Sequence, residues 1–189
     1  MKKLILSMFA FALVAQGEVH DHSLCHDHSG WELAVSCGQG ELIEKEDDHS
    51  VKGTIVHVHA TKGLDYEIAG IPVGISVGAE KFLDSDIDHF GFHACLAFFI
   101  NDRIIIATGP AIEYGKHAEE HGHHDDDDDE DEEDEEEHSS DWESEIGWHT
   151  EIAIHLFECG NLSYGLSAGY GANKVHEHIE YGIHIGKHF

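Results

Sequence analysis

The sequence contains 20 histidines among 189 residues, and many of them stand beside acidic residues. The densest group flanks an unbroken run of 13 acidic residues, Asp125 to Glu137. Its histidines are His117, His121, His123, His124 and His138. Imidazole nitrogens suit Zn²⁺, Ni²⁺ and Cu²⁺, whereas carboxylate oxygens suit harder cations. The segment therefore predicts a low-specificity site for divalent cations, and the alternative is a solvated, repulsive surface loop.

A second histidine-rich segment covers residues 18–30 near the N-terminus, where histidines alternate with acidic residues and Cys25. Its candidate ligands are His20, His22, His26 and His28. His-x-His spacing lets neighbouring imidazoles share one ion, although the Cys-x-x-Cys framework of structural zinc sites is missing from the sequence. We expect either a metal-binding arm or a plain spacer.

Residues 1–17 have the pattern of an export signal. Lys2 and Lys3 precede an apolar run from Leu4 to Val14, and small residues follow at Ala15 and Gly17. This pattern predicts cleavage near Glu18 and an oxidising destination. The apolar run is shorter than the roughly 20 residues that a membrane-spanning helix needs.

Charge and motifs exclude two classes of function. The formal charge of −29, from 39 acidic and 10 basic residues, argues against binding to nucleic acid, which requires clustered Lys and Arg. Of the acidic residues, 18 lie between Glu119 and Glu145. The sequence contains no Gly-x-Ser-x-Gly, His-Glu-x-x-His or phosphate-loop motif, so we expect no enzymatic activity and no required cofactor.

From Trp31 onward, apolar residues alternate with small or polar ones, which is typical of β-strands. The alternation is clearest between Ile71 and Glu80. Eight such runs predict an all-β, eight-stranded antiparallel up-and-down barrel over 31–189. Long connections are expected at 38–51, 83–88, 115–141 and 172–177, tight turns at 100–102 and 158–161, and a longer connection at 61–69.

The two faces of these strands differ in composition, and the difference indicates whether lipid or water surrounds the barrel. One face carries Phe, Trp, Tyr, Ile, Val and Leu, and the other carries mainly Gly, Ser, Ala and His. Such a pattern favours a transmembrane barrel with lipid outside and a narrow polar lumen, and the alternative is a soluble, lipocalin-like periplasmic barrel.

The chain closes on Phe189, with Tyr181, Ile183 and Ile185 at alternate positions upstream. This ending resembles the C-terminal strand signal of Gram-negative outer-membrane proteins, although Lys187 departs from it. Together with the strand count, it makes 31–189 similar to small barrels of the OmpA and OmpX type. The resemblance implies an outer-membrane location, lipid and the barrel-assembly machinery as partners, and a monomer, but it transfers no functional residue.

The face assignment also places a group of histidines and glutamates inside the barrel. The candidate metal ligands among them are His57, His59, His93, His155, His184 and His188. His149 and His178 point inward as well, as do Glu80, Glu113, Glu151 and Glu180. Glutamates are expected nearer the outside and imidazoles nearer the periplasm, with Arg103 as the only inward cation. This arrangement predicts either a structural His/Glu network or a lumenal metal site.

The leading hypothesis is an outer-membrane barrel that binds or buffers Zn, Ni or Cu ions through its loop and arm. The alternatives are a structural anchor or surface-interaction barrel without a metal role, and a soluble periplasmic metal carrier.

The four cysteines form no clear pattern. Cys25 and Cys159 are expected on the periplasmic side, Cys37 near the outer end of its strand, and Cys95 inside.

Overall fold

The computed structural model describes residues 30–45, 50–83, 88–115 and 143–189, which form eight antiparallel strands. The strands are β1 (Trp31–Glu44), β2 (Ser50–Ile68), β3 (Ile71–Phe82), β4 (His89–Asn101), β5 (Ile104–Gly115), β6 (Glu143–Cys159), β7 (Leu162–Ala172) and β8 (His176–His188). Each strand pairs with the next, and β1 pairs with β8, so the sheet closes. The predicted eight-stranded up-and-down barrel is confirmed. No helix within the described ranges is long and apolar enough to cross a membrane.

Burial alternates along the strands, but the apolar side is the exposed one. Val77, Phe92 and Ile183 are 52%, 53% and 63% exposed, whereas the neighbouring polar side chains are buried. A water-soluble domain buries its apolar face, because removing apolar surface from water is the main favourable term in folding. The inverted distribution is that of transmembrane barrels.

One end of the barrel, here called the terminal end, holds both ends of the described chain and short turns. The Phe189 amide donates to the Trp31 carbonyl oxygen at 2.8 Å. β2 and β3 are joined by Ala69 and Gly70 with φ of 55° and 80°, the positive values that a two-residue hairpin turn needs. The predicted longer connection at 61–69 is therefore wrong: β2 continues to Ile68, with a bulge between Gly63 and Glu67.

At the opposite end, here called the loop end, the strands extend further than the sequence predicts. β1 continues to Glu44 and β2 begins at Ser50, so most of the predicted loop 38–51 is strand. Ladder pairing with β2 and β8 stabilises this extension. Cys37 consequently lies in mid-strand on the exposed face and not near the strand end. His176 belongs to β8 and not to the predicted connection 172–177.

An apolar cluster closes the interior at the loop end. Phe82 and Ile55 are 0% and 3% exposed, and Leu42 and Val51 pack against them. Lys45 joins the first loop to the last, since its amide donates to the Val175 carbonyl oxygen and its ammonium group donates to the Asn173 carbonyl oxygen. Among the described residues, these contacts cover the interior beside the loop-end parts of β1, β2 and β3.

Candidate metal centre

The barrel interior is dominated by imidazoles and carboxylates. Among the described residues, nine histidines and five glutamates are buried, and no lysine or arginine is. The histidines are His57, His59, His89, His93, His149, His155, His176, His178 and His184, and the glutamates are Glu32, Glu80, Glu113, Glu151 and Glu180. Arg103, predicted to point inward, is exposed in the β4–β5 turn, where its amide donates to Asn101 Oδ1. Positive charge for the buried glutamates must come from protonated imidazole or a bound cation.

Four side chains converge at the loop end in what we call the loop-end cluster: His89, Glu113, His176 and His178. Each can offer one ligand atom, and the four atoms lie within 4.8 Å of one another. His176 Nε2 is 2.7 Å from Glu113 Oε2, and His178 Nδ1 is 3.7 Å from Glu113 Oε1. Asn173 Nδ2 also donates to Glu113 Oε2 at 2.6 Å, which holds the carboxylate in place.

The middle of the barrel contains three histidines from different strands, the central cluster of His57, His93 and His149. The Nε2 atoms of His57 and His93 are 3.2 Å apart. The rings of His93 and His149 stack with centroids 4.4 Å apart and an interplanar angle of 10°. Glu80 lies between this cluster and the loop-end cluster, because its carboxylate is 3.7 Å from His149 Nδ1 and 3.1 Å from His178 Nε2.

A third group, the terminal-end cluster, consists of Glu32, His155 and His184. His155 Nε2 lies 3.3 Å from both His184 Nε2 and Glu32 Oε1. Ser36 Oγ lies 3.3 Å from His184 Nδ1, so the other ring nitrogen of His184 faces the cluster. Ser163 Oγ donates to Glu32 Oε1 at 3.1 Å. Such outer partners fix the orientation of metal-binding side chains.

Glu151 and His59 connect the central and terminal-end clusters. Glu151 Oε1 lies 3.4 Å from His57 Nδ1, and Glu151 Oε2 lies 3.3 Å from His59 Nδ1, which are ion-pair distances when the imidazoles are protonated. The His59 ring then stacks on the His184 ring with centroids 5.5 Å apart. Imidazoles and carboxylates therefore alternate along the whole barrel axis.

The donor set fits a divalent transition metal. Ligand atoms around a tetrahedral Zn²⁺ lie about 3.3–3.5 Å apart when metal–ligand distances are about 2.0–2.1 Å. His89 Nε2 and both ring nitrogens of His149 are buried and have no hydrogen-bond partner in the described part of the chain. Orphaned buried nitrogen atoms are costly unless a ligand uses them. Nitrogen-rich sets with a carboxylate suit Zn²⁺, Ni²⁺ or Cu²⁺ better than Mg²⁺ or Ca²⁺.

The predicted inward positions agree with the structure. His57, His59, His93, His155 and His184 are buried, and His188 has a side chain 39% exposed beside Glu32. The predicted positions hold for the named residues, since Glu113 lies at the loop end and His155, His184 and His188 lie at the terminal end. The predicted general order, with carboxylates first and imidazoles later, does not hold. His89 and His176 lie in the layer of Glu113, and Glu32 lies at the terminal end, because each strand contributes donors at several heights.

Three buried donors were missing from the predicted group of inward histidines and glutamates, and His149, His178 and Glu113 were placed in that group but were not chosen as ligands. His89 was on the inward face of its strand but was not selected, His176 was assigned to a loop, and Glu32 alternates with Ala34 and Ser36 in a strand whose phase was not assigned. In β8 the spacing would have identified His176, because it precedes the inward His178 by two residues and residues two apart share one face of a strand.

The predicted loop and arm ligands lie outside the described residues, as does Cys25. They are His20, His22, His26, His28, His117, His121, His123, His124 and His138. The predicted export signal at 1–17 also lies outside them. Their roles stay predictions.

Comparison with known proteins finds similar structures but no similar sequences. Neither a family model nor a curated protein matches the chain. Ail, the attachment invasion locus protein of Yersinia pestis, is 12% identical, with a TM-score of 0.47 over 85% of this chain and 99% of Ail. Neisserial surface protein A is 11% identical, with a TM-score of 0.49 over 84% of this chain and 97% of its own. The barrel assignment itself rests on strand order and closure.

Proposed function

We propose that this protein is an outer-membrane barrel that binds divalent transition-metal ions, Zn²⁺, Ni²⁺ or Cu²⁺, among its interior histidines and glutamates. The observation that carries the proposal is the loop-end cluster, in which three buried imidazoles and one buried carboxylate place donor atoms within 4.8 Å of one another. The histidines of the acidic loop and the N-terminal arm would raise the local concentration of ions at either end of the barrel.

The membrane location is supported by the exterior. Large apolar side chains such as Ile146, Trp148 and Tyr181 are 77%, 54% and 63% exposed. In water, a surface covered with such residues would drive aggregation, whereas in lipid it is the expected face. The terminal end would then face the periplasm and the loop end the exterior, because long loops of these barrels lie outside.

Metal binding is supported by charge as well as by geometry. Five buried carboxylates, with no buried Lys or Arg among the described residues, leave a deficit of positive charge in a low-dielectric interior. A dication offsets two carboxylates at once and satisfies the orphaned imidazole nitrogens. A structural His/Glu network without metal would have to offset the same charge by protonating histidines.

Extraction tests the membrane part of the proposal. The protein should remain in the membrane fraction until detergent is added, and its gel mobility should shift on boiling. Release into detergent-free buffer without a mobility shift would instead favour the soluble periplasmic carrier.

Calorimetric titration with Zn²⁺ tests the metal part. The refolded protein should bind Zn²⁺ both before and after deletion of 117–138, because the interior sites remain. Glu113→Gln should weaken binding by at least about tenfold, since loss of an outer partner alone typically costs 10–100-fold. Glu177→Gln is the matched control, because Glu177 lies at the same end of the barrel, on β8, but pairs with Lys45. Absence of heat in both the full protein and the deletion variant would leave the anchor or surface-interaction role.

A further inference from the structure

The two ends of the barrel interior differ in how they meet solvent. At the loop end, Phe82 of the apolar cluster is 0% exposed, and His89, whose ring packs against it, is 2% exposed. At the terminal end, a cavity of about 100 Å³ is lined by Glu32, His155 and His188 together with Thr61 and Ile105. This volume accommodates several water molecules.

The cavity reaches the surface and ends at metal-binding side chains. Its rim includes the exposed Asp102 and Phe189, and the half-exposed side chain of His188 lies 3.7 Å from Glu32 Oε1. Glu32 and His155 are themselves members of the terminal-end cluster. An ion from solvent would therefore meet this cluster first.

Beyond the cavity, neighbouring donor groups share residues. His57 and His149 both belong to the central cluster; His57 also groups with His59 and Glu151, and His149 with Glu80 and His178. His178 in turn belongs to the loop-end cluster. Between the loop-end cluster and His59, an ion can thus move by exchanging one ligand at a time. The terminal-end cluster adjoins this series at His184, whose ring stacks on that of His59 with centroids 5.5 Å apart.

We infer that transition-metal ions enter and leave the interior through the terminal-end cavity, with the Glu32–His155–His184 cluster as the first site, and that the loop end is closed to them. This inference rests on the proposed function. It makes the interior a metal store that exchanges with the side of the membrane where Gly30 and Phe189, the ends of the described chain, lie.

The rate of Zn²⁺ removal from the full, Zn²⁺-loaded protein by excess EDTA in detergent tests this route. Ile105→Trp fills part of the cavity from a lining residue that is not itself a ligand, and Ile105→Leu is its volume-matched control. Phe82→Ala opens the cover at the loop end. Ile105→Trp should slow Zn²⁺ release by about tenfold. Ile105→Leu should leave the rate unchanged, whereas Phe82→Ala should raise it, because it gives the ions a second exit.

The possible results distinguish a failure of the inferred route from a failure of the proposed metal binding. Stoichiometric Zn²⁺ binding with release that Ile105→Trp does not slow would overturn the route and leave metal binding intact. Release that Phe82→Ala does not raise would overturn the closure of the loop end by this cluster. Failure of the unmodified protein to retain any Zn²⁺ would overturn both. Boiling-dependent gel mobility checks that each variant is folded.

Discussion

The Nε2 atoms of His57 and His93 face each other at 3.2 Å in the middle of the barrel. Two imidazole nitrogens at this distance can share only one proton, so at least one of them presents a lone pair. His155 and His184 repeat the relationship with their Nε2 atoms 3.3 Å apart. Both distances are close to the spacing of about 3.3–3.5 Å between ligands of a tetrahedral zinc ion. The interior thus holds paired nitrogen donors at two heights.

Glu151→Gln should lower the free energy of unfolding by about 3 kcal/mol, the lower end of the cost of breaking a buried ion pair. Glu151 faces His57 and His59, and the loss is moderated because Glu180 remains 3.7 Å from His57. Urea unfolding in lipid vesicles measures the effect. Glu67→Gln, at an exposed position near the end of β2, is the control and should change stability little. Equal effects of the two substitutions would contradict the interior ion-pair network.

Gly171→Ala should weaken Zn²⁺ binding at the loop-end cluster. A Cβ at this position would overlap His178 Cε1, so the His178 ring must leave its present position 3.7 Å from Glu113 Oε1. Gly169→Ala is a matched control on the same inward face of β7, where the Cβ would meet Glu180 Oε1 at 2.3 Å instead. Calorimetry should show weaker Zn²⁺ binding for the first variant than for the second. The reverse order would remove His178 from the site.

Val77→Arg should destabilise the barrel in lipid by about 2–4 kcal/mol, the cost of a basic residue at the bilayer midplane. Val77 is 52% exposed in the middle of β3. Leu83→Arg, just beyond the strand and 57% exposed, should cost only about 0–1 kcal/mol because it lies near the interface. Folding equilibria in lipid vesicles measure both. A Val77→Arg variant as stable as the Leu83→Arg variant would place this face in water.

The strand number and the facing of most interior residues could be predicted because a barrel repeats one simple rule, period-two alternation. His93 and His149 were assigned inward from their neighbours on β4 and β6, and the structure buries both. Strand ends were predicted less well, since β1 and β2 are extended by pairing with each other, and β1 also pairs with β8, which is distant in sequence. No local pattern reports such pairing.

The grouping of the donors could not be predicted for a related reason. His89, Glu113 and His176 come from three strands, and they meet because the register and tilt of the closed sheet set their heights along the axis. Their types and inward facing can be deduced from sequence, but their shared height cannot. The same limit explains why imidazoles and carboxylates were expected in separate layers.

A crystal structure of the protein grown with Zn²⁺, with anomalous diffraction data collected at the zinc edge, tests interior metal binding most directly. The account predicts an anomalous peak among His89, Glu113, His176 and His178, about 2.0–2.2 Å from the ligand atoms. A second peak is expected at the terminal-end cluster. A fully folded barrel with zinc peaks outside it and none inside would contradict the account.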